Sequence, residues 1–313
     1  MTERTIQLQD VVRRKAAHLG PRGEEWLAGL PALVDELARR WSVTVGPPLS
    51  GGTASFVARA RTADGQDAVL KLAVPEYDFG GQVRTLVDAD GHGYVRLLAH
   101  DVDQHAMLLE ALGRPLGEVD VPPEDKIATL CATLRQAWQV PRPPGPAVDP
   151  ALGLIELVGT LWERLGHPCS ERVVTQALTY AERRAAAFDL DRSVVVHGDP
   201  HPGNTLRVLT PRPGAESGFV FVDPDGLIAD PTYDLGVVLR DWGPQLLAGD
   251  APVLARHYCA LLAGHTGLDE KAIWEWGFLQ RVSTGLYALS FGADEMARPY
   301  LETAELLASP DHV

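Results

Sequence analysis

The apolar pattern of this 313-residue chain differs between its two halves, and this difference limits the folds available to it. Segments 41–50, 55–65, 66–75 and 94–112 carry alternating or short continuous apolar runs with β-branched residues, which is typical of strands. Beyond residue 150 the apolar residues recur mostly at helical spacing. The pattern predicts an α+β fold with a small antiparallel sheet in the first half and a mainly helical second half.

The same pattern locates helices and turns. Residues 8–40 and about 80–90 carry apolar residues at helical spacing, and "ADG" at 63–65 predicts a hairpin turn. Residues 139–150 hold five prolines and are interpreted as a loop or stiff connector. Three short strands are expected within residues 193–226. The helices expected in the second half are 151–166, 171–189, 233–247, 251–264 and 269–290.

These elements predict two lobes. We expect an N-terminal lobe over residues 1–112, with a helical lead-in and a five-stranded antiparallel sheet, and a helical C-terminal lobe over residues 113–313. A cleft between two lobes is the usual place for a small-molecule site.

Composition excludes several classes of protein. A net charge of −14 repels phosphate backbones, so no nucleic-acid partner is expected, whereas a cationic small molecule would be attracted. No apolar run is long enough to span a bilayer and residues 1–20 lack a signal-peptide pattern, so we expect a cytoplasmic protein without a membrane partner. The three scattered cysteines favour neither disulfides nor zinc. The sequence leaves the oligomeric state open.

The loop that follows the apolar run at 194–196 carries the strongest chemical signal. Its sequence, "HGDPHPGN", has the spacing H-x-D-x-x-x-x-N, with His197, Asp199 and Asn204. Phosphoryl transfer needs one group that accepts the proton of the attacking hydroxyl and another that holds Mg²⁺. The catalytic loop of protein kinases has the same spacing, and Pro200 and Pro202 restrict the freedom of the loop here.

A second acid is expected for the same metal. Asp223 ends the apolar run "GFVFV", nineteen residues after Asn204, where a kinase carries its metal-binding aspartate. The local sequence is D-P-D-G and not D-F-G. Asp223 is the preferred ligand because it directly ends the strand, and Asp225 is the alternative.

The N-terminal half supplies residues suited to nucleotide phosphates. Lys71 lies in the middle of the apolar run "AVLKLAV", so its amine must either reach solvent or meet an anion in the cleft. A glycine-bearing turn lies before it, and glycine lets backbone N–H groups approach phosphates. The phosphate-binding candidates of this turn are Ser50, Gly51, Gly52, Thr53 and Ser55.

Taken together, these segments resemble the aminoglycoside phosphotransferase family, which shares the protein-kinase fold. The likeness rests on "VVVHGDPHPGNTL" and "FVFVDPDGLIADPTYDLGVVLRDW". "PLSGGTASFVARARTADGQDAVLKLAVP", "GYVRLLAHD" and "MLLEALGRPLG" most resemble its streptomycin 6-kinase type, among the aminoglycoside/hydroxyurea resistance kinases. The likeness covers roughly residues 26–300. It implies a bilobal protein-kinase-like fold that uses ATP and Mg²⁺.

The resemblance also implies roles for individual residues. Asp199 would be the catalytic base, Asn204 and Asp223 would hold Mg²⁺, and Lys71 would contact ATP. The backbone of two hinge residues would bind adenine, and two further side chains would support the catalytic loop. The hinge residues are Glu110 and Leu112, and the supporting residues are His197 and Asp234.

One departure from the kinase pattern concerns the partner of the strand lysine. A glutamate on the following helix is expected, and Gln82 stands at that position. Glu76 is the nearest acid upstream, but it follows Pro75 and is expected in a loop. Gln82 can accept a hydrogen bond from Lys71 without supplying charge, so activity is expected to survive, and the sequence leaves open whether it is weakened.

The acceptor is expected to be a small hydroxylated molecule with positive charge, bound by acids and aromatic rings of the C-terminal helices. The candidates are Asp230, Asp241, Trp242, Trp274 and Glu275, with Asp294 and Trp276 as further possibilities.

These features predict an ATP-dependent O-phosphotransferase whose leading acceptor is a streptomycin-like aminoglycoside. Two alternatives stay open: a kinase of an amino sugar or another small metabolite, and a nucleotide-binding pseudokinase, for which Gln82 is the single argument. A protein kinase is disfavoured, because the sequence has no A-P-E element and no long activation segment after Asp223.

Overall fold

A computed structural model describes residues 6–49, 54–75, 79–145 and 147–308 of the chain. The predicted α+β class is confirmed, because the first part forms an antiparallel sheet and most of the remainder is helical. The phosphate-turn candidates Ser50, Gly51, Gly52 and Thr53, as well as Glu76, lie outside the described residues. No helix within the described ranges has the length and apolar character needed to cross a bilayer.

Five antiparallel strands form the sheet, in the order β1-β2-β3-β5-β4. The predicted hairpin joins β2 to β3, and its Gly65 has a φ of +87°. The strands are β1 (Val43–Pro48), β2 (Ser55–Thr62), β3 (Asp67–Ala73), β4 (Leu97–Asp101) and β5 (Ala106–Glu110).

Helices cover both faces of this sheet. The expected helix over 8–40 is two helices, because Gly20 adopts a φ of +61° and breaks it. The second of them packs on the sheet through a cluster that includes Leu30, Val34, Leu70 and Leu72. Side chains alternate along a strand, so Lys71 faces the opposite side. The helices are α1 (Asp10–His18), α2 (Pro21–Arg40) and α3 (Phe79–Ala89), the last close to its predicted range.

The second half contains eight α-helices in its described part. Two of them were not predicted, and the helix expected over 233–247 is divided at Trp242, which has a φ of +69°. The helices are α4 (Pro123–Ala137), α5 (Pro150–Arg164), α6 (Glu171–Ala186), α7 (Thr232–Arg240), α8 (Gly243–Ala248), α9 (Ala251–Thr266), α10 (Glu270–Ser290) and α11 (Asp294–Leu307). The two unpredicted helices are α4 and α11.

Four short strands, one more than expected, lie between α6 and α7. They form two antiparallel pairs, β6 with β9 and β7 with β8. The strands are β6 (Val194–Val196), β7 (Thr205–Arg207), β8 (Phe219–Phe221) and β9 (Leu227–Ala229). The loops that connect them carry the H-x-D-x-x-x-x-N motif and the D-P-D-G turn.

The apolar core crosses from the sheet to the helices. Phe79, Leu86 and Leu109 belong to the same buried cluster as Leu116 and Ile127 of the helical half. The two halves are therefore packed together through apolar side chains, and the lobe boundary at residue 112 stays a prediction.

Candidate active site

The loop after β6 turns at Gly198 and presents Asp199. Gly198 has a φ of +93°, and a Cβ at this position would collide with the Asp225 carboxylate. Only glycine is free of both penalties, because it lacks the Cβ that restricts φ. The turn leaves the Asp199 side chain 41% exposed at the start of the loop.

Asp234 anchors this loop from the first turn of α7. Its buried carboxylate accepts hydrogen bonds from His197 N at 2.8 Å, Gly198 N at 2.9 Å and Trp138 Nε1 at 2.9 Å. Burial raises the pKa of Asp234 to about 6, although these three donors act in the opposite direction. The carboxylate gives each donor a partner and so fixes the backbone before Asp199.

The His197 ring forms hydrogen bonds through both of its nitrogens. Its Nδ1 accepts the Asp199 N–H at 3.1 Å, so Nε2 carries the ring proton and donates to Val222 O at 2.9 Å. Burial lowers the pKa of His197 to about 4, which keeps the ring neutral. This ring therefore links the start of the loop to the strand that precedes Asp223.

The Asp199 carboxylate has one partner for each oxygen. Oδ1 accepts from Arg240 Nη2 at 2.7 Å, and His201 Nε2 lies 3.5 Å from Oδ2. Burial acts to raise the pKa of Asp199, but the Arg240 guanidinium outweighs it and the pKa falls below its ordinary value. Asp199 is thus held as a carboxylate.

Asn204 closes the loop beside the second candidate ligand. Its side-chain Nδ2 donates to the backbone oxygen of Asp199 at 3.0 Å, and its backbone carbonyl oxygen accepts from Val222 N at 2.9 Å. Val222 directly precedes Asp223, so the two residues proposed for metal binding lie next to each other. The amide orientation leaves the Asn204 side-chain oxygen as an acceptor for a cation.

Lys71 of strand β3 reaches Asp223, which follows β8. Lys71 Nζ lies 2.5 Å from Asp223 Oδ1 and donates to Gln82 Oε1 at 3.2 Å. Gln82 Nε2 in turn donates to Pro224 O at 3.1 Å. Gln82 therefore binds Lys71 from the α3 position where kinases carry a glutamate, and it also connects α3 to the D-P-D-G turn.

Replacing Gln82 with leucine should remove both of its bonds. We expect kcat/KM for ATP to fall by about 5- to 30-fold, because one bond has a charged donor and the other holds the turn that carries Asp223. Steady-state kinetics at saturating acceptor measure this effect. The matched control is the exposed Gln104 in the β4–β5 turn, where the same change should leave kcat/KM unaltered. An unchanged kcat/KM for Gln82→Leu would show that the bridge is dispensable.

Asp225 lies against the H-x-D-x-x-x-x-N loop and forms no ion pair with Lys71 among the described residues. Its backbone N–H donates to His197 O at 2.7 Å, and its carboxylate faces Gly198. Burial raises the pKa of Asp225 to about 7, and the nearby carboxylates of Asp199 and Asp234 act in the same direction.

The hinge region is fixed by an arginine that the sequence did not single out. The Glu110 carboxylate accepts from Arg212 Nη2 at 2.5 Å and from Arg96 N at 2.9 Å. Arg212 also donates to Tyr94 O at 3.0 Å. The Glu110 side chain is thus engaged, and the adenine contacts of Glu110 and Leu112 through their backbones stay a prediction. Ser55 is buried at the start of β2.

All five acceptor candidates have partners within the protein, and for Asp241 this partner is Arg240. The other four have partners elsewhere. Asp230 Oδ1 accepts from Thr232 N at 2.8 Å and shapes the turn before α7. The other three are buried or engaged between helices. Trp242 Nε1 donates to Val238 O at 2.9 Å, Arg256 lies 4.7 Å above the Trp274 ring, and Glu275 pairs with Arg184 at 2.7 Å and Arg183 at 3.2 Å.

Glu275 corrects the sequence interpretation most clearly. Its side chain is 1% exposed, so it forms a buried ion pair between α10 and α6 and is closed to an acceptor. Asp241 is the candidate that lies near Asp199, since its Oδ1 is 3.6 Å from Arg240 Nε. Burial, opposed by Arg240, raises the pKa of Asp241.

Three further residues complete this side of the cleft and were missed. Arg240 ends the apolar run "LGVVLR", and a cation in such a run was the available signal. Thr284 of α10 accepts from Arg240 Nη1 at 3.2 Å. Burial and the carboxylates of Asp241 and Asp199 raise the pKa of Tyr300 of α11. No spacing rule connects these residues to the loop.

The fold belongs to the protein-kinase-like class. The choline kinase LicA from Streptococcus pneumoniae superposes with a TM-score of 0.62 at 14% identity, covering 88% of this chain and 99% of that chain. A Streptomyces rimosus aminoglycoside phosphotransferase, APH(3'')-Id, solved with ADP and streptomycin, superposes with a TM-score of 0.53 at 16% identity, covering 82% and 98%. The predicted kinase-like fold is confirmed.

The family follows from the sequence. Residues 40–292 match the family model of aminoglycoside/hydroxyurea antibiotic resistance kinases, and the chain belongs to this family. A streptomycin 6-kinase from Streptomyces griseus is 30% identical over 301 residues, 93% of each chain. A hydroxyurea phosphotransferase from Kitasatospora aureofaciens is 30% identical over 300 residues, 94% of this chain and 83% of that protein. The predicted phosphotransferase class is confirmed.

Proposed function

We propose that this kinase transfers the γ-phosphoryl group of ATP to a hydroxyl of a streptomycin-like aminoglycoside, with Mg²⁺ as cofactor. The observation that carries the proposal is that Asp199 and Asn204, on the loop between β6 and β7, lie beside Asp223 of the next loop, which Lys71 contacts from the sheet. The streptomycin 6-kinase relatives support the acceptor class.

The donor groups at the cleft suit Mg²⁺. The Asp223 carboxylate and the Asn204 amide oxygen are hard oxygen ligands, which this ion prefers, and the rest of its shell comes from water and phosphate oxygens. Within the described ranges, no cluster of three or more His, Cys, Asp or Glu side chains forms a protein-only metal site. Asp223 and Asn204 would therefore hold an ion shared with ATP. When bound, Mg²⁺ neutralises charge on the transferring phosphoryl group.

The residues of the chain divide the remaining work. Lys71 holds nucleotide phosphates in the cleft, and its bonds to Asp223 and Gln82 keep its amine in place before ATP enters. Asp199 orients the acceptor hydroxyl through its more open oxygen. The acceptor oxygen forms a bond to the γ-phosphorus, the bond to ADP breaks, and the hydroxyl proton passes to Asp199.

A second candidate acceptor is a small neutral hydroxylated compound of the hydroxyurea type. The observation in its favour is that the acids on the acceptor side are already paired. Asp199 and Asp241 share Arg240, and Glu275 is closed in its own ion pair. A polycation would find little unpaired charge at these positions.

An acceptor panel tests the proposal and separates the candidates. We expect ATP-dependent ADP release with streptomycin, and ³¹P NMR should show a phosphate monoester on the product. Turnover of hydroxyurea without streptomycin would establish the second candidate, and turnover of an amino sugar alone would establish a metabolic kinase. MgATP binding with no turnover on any acceptor would contradict the proposed enzyme and indicate a pseudokinase. The Asp199→Ala variant, assayed with the same acceptors, serves as the negative control for ADP release.

A further inference from the structure

Arg240 connects the catalytic carboxylate to the acceptor side of the cleft. It is the last residue of α7, and its side chain is 10% exposed. One guanidinium group donates through Nη2 to Asp199 Oδ1 at 2.7 Å and through Nη1 to Thr284 Oγ1 at 3.2 Å. Its Nε lies 3.6 Å from Asp241 Oδ1. This single planar group thus contacts α10, the end of its own helix and the catalytic loop.

We propose that Arg240 is a positioning residue for phosphoryl transfer. It binds Oδ1 of Asp199, so that Oδ2, which lies 3.5 Å from His201 Nε2, is the oxygen that receives the acceptor hydroxyl. The inference rests on the proposed role of Asp199 as the base. An aspartate carboxylate otherwise rotates about its terminal torsion, and the two oxygens exchange places. The bond from Arg240 to one oxygen gives the carboxylate one orientation.

Thr284 fixes the orientation of the Arg240 guanidinium plane. A guanidinium is planar, with five N–H donors at fixed angles, so two bonds from different nitrogens define the orientation of its plane. Asp199 and Thr284 are bonded to Nη2 and Nη1 respectively. A lysine amine would carry the same charge but would not hold both partners in one plane.

A purely structural ion pair would look different. In the Arg184–Glu275 pair the arginine is 14% exposed and the carboxylate only 1%, so both members are enclosed. In the Arg240–Asp199 pair the arginine is enclosed, whereas the carboxylate keeps 41% of its side chain open to the cleft. The buried guanidinium therefore orients a group that remains accessible to substrate.

The test compares Arg240→Met with the wild-type enzyme, on the acceptor that the panel identifies. We expect kcat per folded enzyme to fall by about 10- to 100-fold, because a bond between charged groups is lost at the reacting carboxylate. KM for ATP should stay within about twofold. Arg240→Lys should recover part of kcat. The matched control is Arg183→Met, which removes an arginine from the buried Glu275 pair and should lower the melting temperature without changing kcat.

A second variant decides the case if Arg240→Met does not fold. Thr284→Val removes one bond to the guanidinium and keeps the size of the side chain, and kcat should fall about three- to tenfold at an unchanged melting temperature. The corresponding control is Thr179→Val on α6. An unchanged kcat in Thr284→Val, or in folded Arg240→Met, overturns the inference. If Asp199→Ala is inactive in the same assay, the proposed function survives that result; if Asp199→Ala remains active, the proposed function itself fails.

Discussion

Replacing Asp199 with alanine is expected to lower kcat by about 100- to 10,000-fold, the usual contribution of a general base. The Asp199 carboxylate is the accessible acceptor at the start of the loop after β6, and its removal leaves the acceptor hydroxyl without a partner for its proton. Lys71, Gln82 and Asp223 do not contact the deleted atoms, so the affinity for MgATP should stay within about twofold. Coupled ADP-release kinetics and calorimetry measure the two quantities.

The control for this prediction is Asp191→Ala, which removes an exposed carboxylate from the segment before β6. It should leave both kcat and ATP affinity unchanged. Turnover of Asp199→Ala close to the wild-type rate would show that another group takes the proton. A parallel loss of MgATP binding would show instead that Asp199 belongs to the nucleotide site.

Replacing Asp234 with alanine should have the largest effect on stability. Three donors, the N–H groups of His197 and Gly198 and the indole of Trp138, would lose their buried acceptor. Unsatisfied buried donors cost about 1–3 kcal/mol each, so the free energy of unfolding should drop by about 3 kcal/mol or more. Activity should be lost too, because the loop that presents Asp199 is no longer fixed. Urea unfolding and ADP release measure the two effects.

Two further variants serve as comparisons for Asp234→Ala: the conservative change Asp234→Asn and the surface control Asp88→Ala. Asparagine keeps the shape and one acceptor oxygen, so its effect should be smaller than that of alanine. Asp88 is an exposed aspartate on α3, and its loss should change stability by less than about 0.5 kcal/mol. Equal stability of Asp234→Ala and Asp88→Ala would refute the anchoring role of Asp234.

Local sequence determined much of the site. His197, Asp199 and Asn204 lie within eight residues, so their spacing alone placed them on one loop after a strand. Lys71 was recognisable because a charge in an apolar strand requires a partner. Asp223 was distinguished from Asp225 by its position at the strand end, and in the structure Asp223 is the one that contacts Lys71.

Ion pairs between side chains far apart in the chain could not be predicted from the sequence. Arg240 and Asp199 are 41 residues apart, and no periodicity shows that the end of α7 reaches the catalytic loop. Glu275 looked available to an acceptor because its partners, Arg183 and Arg184, are 92 and 91 residues away. Breaks within helices were missed for a related reason, since Trp242 adopts a left-handed conformation that its own side chain does not favour.

The most direct measurement is a crystal structure with Mg²⁺ and a non-hydrolysable ATP analogue. The account predicts one Mg²⁺ at about 2.1 Å from both the Asn204 side-chain oxygen and an Asp223 carboxylate oxygen. It also predicts Lys71 Nζ at about 3 Å from a phosphate oxygen. A metal bound to neither residue, or a nucleotide seated where Lys71 does not reach its phosphates, would contradict it.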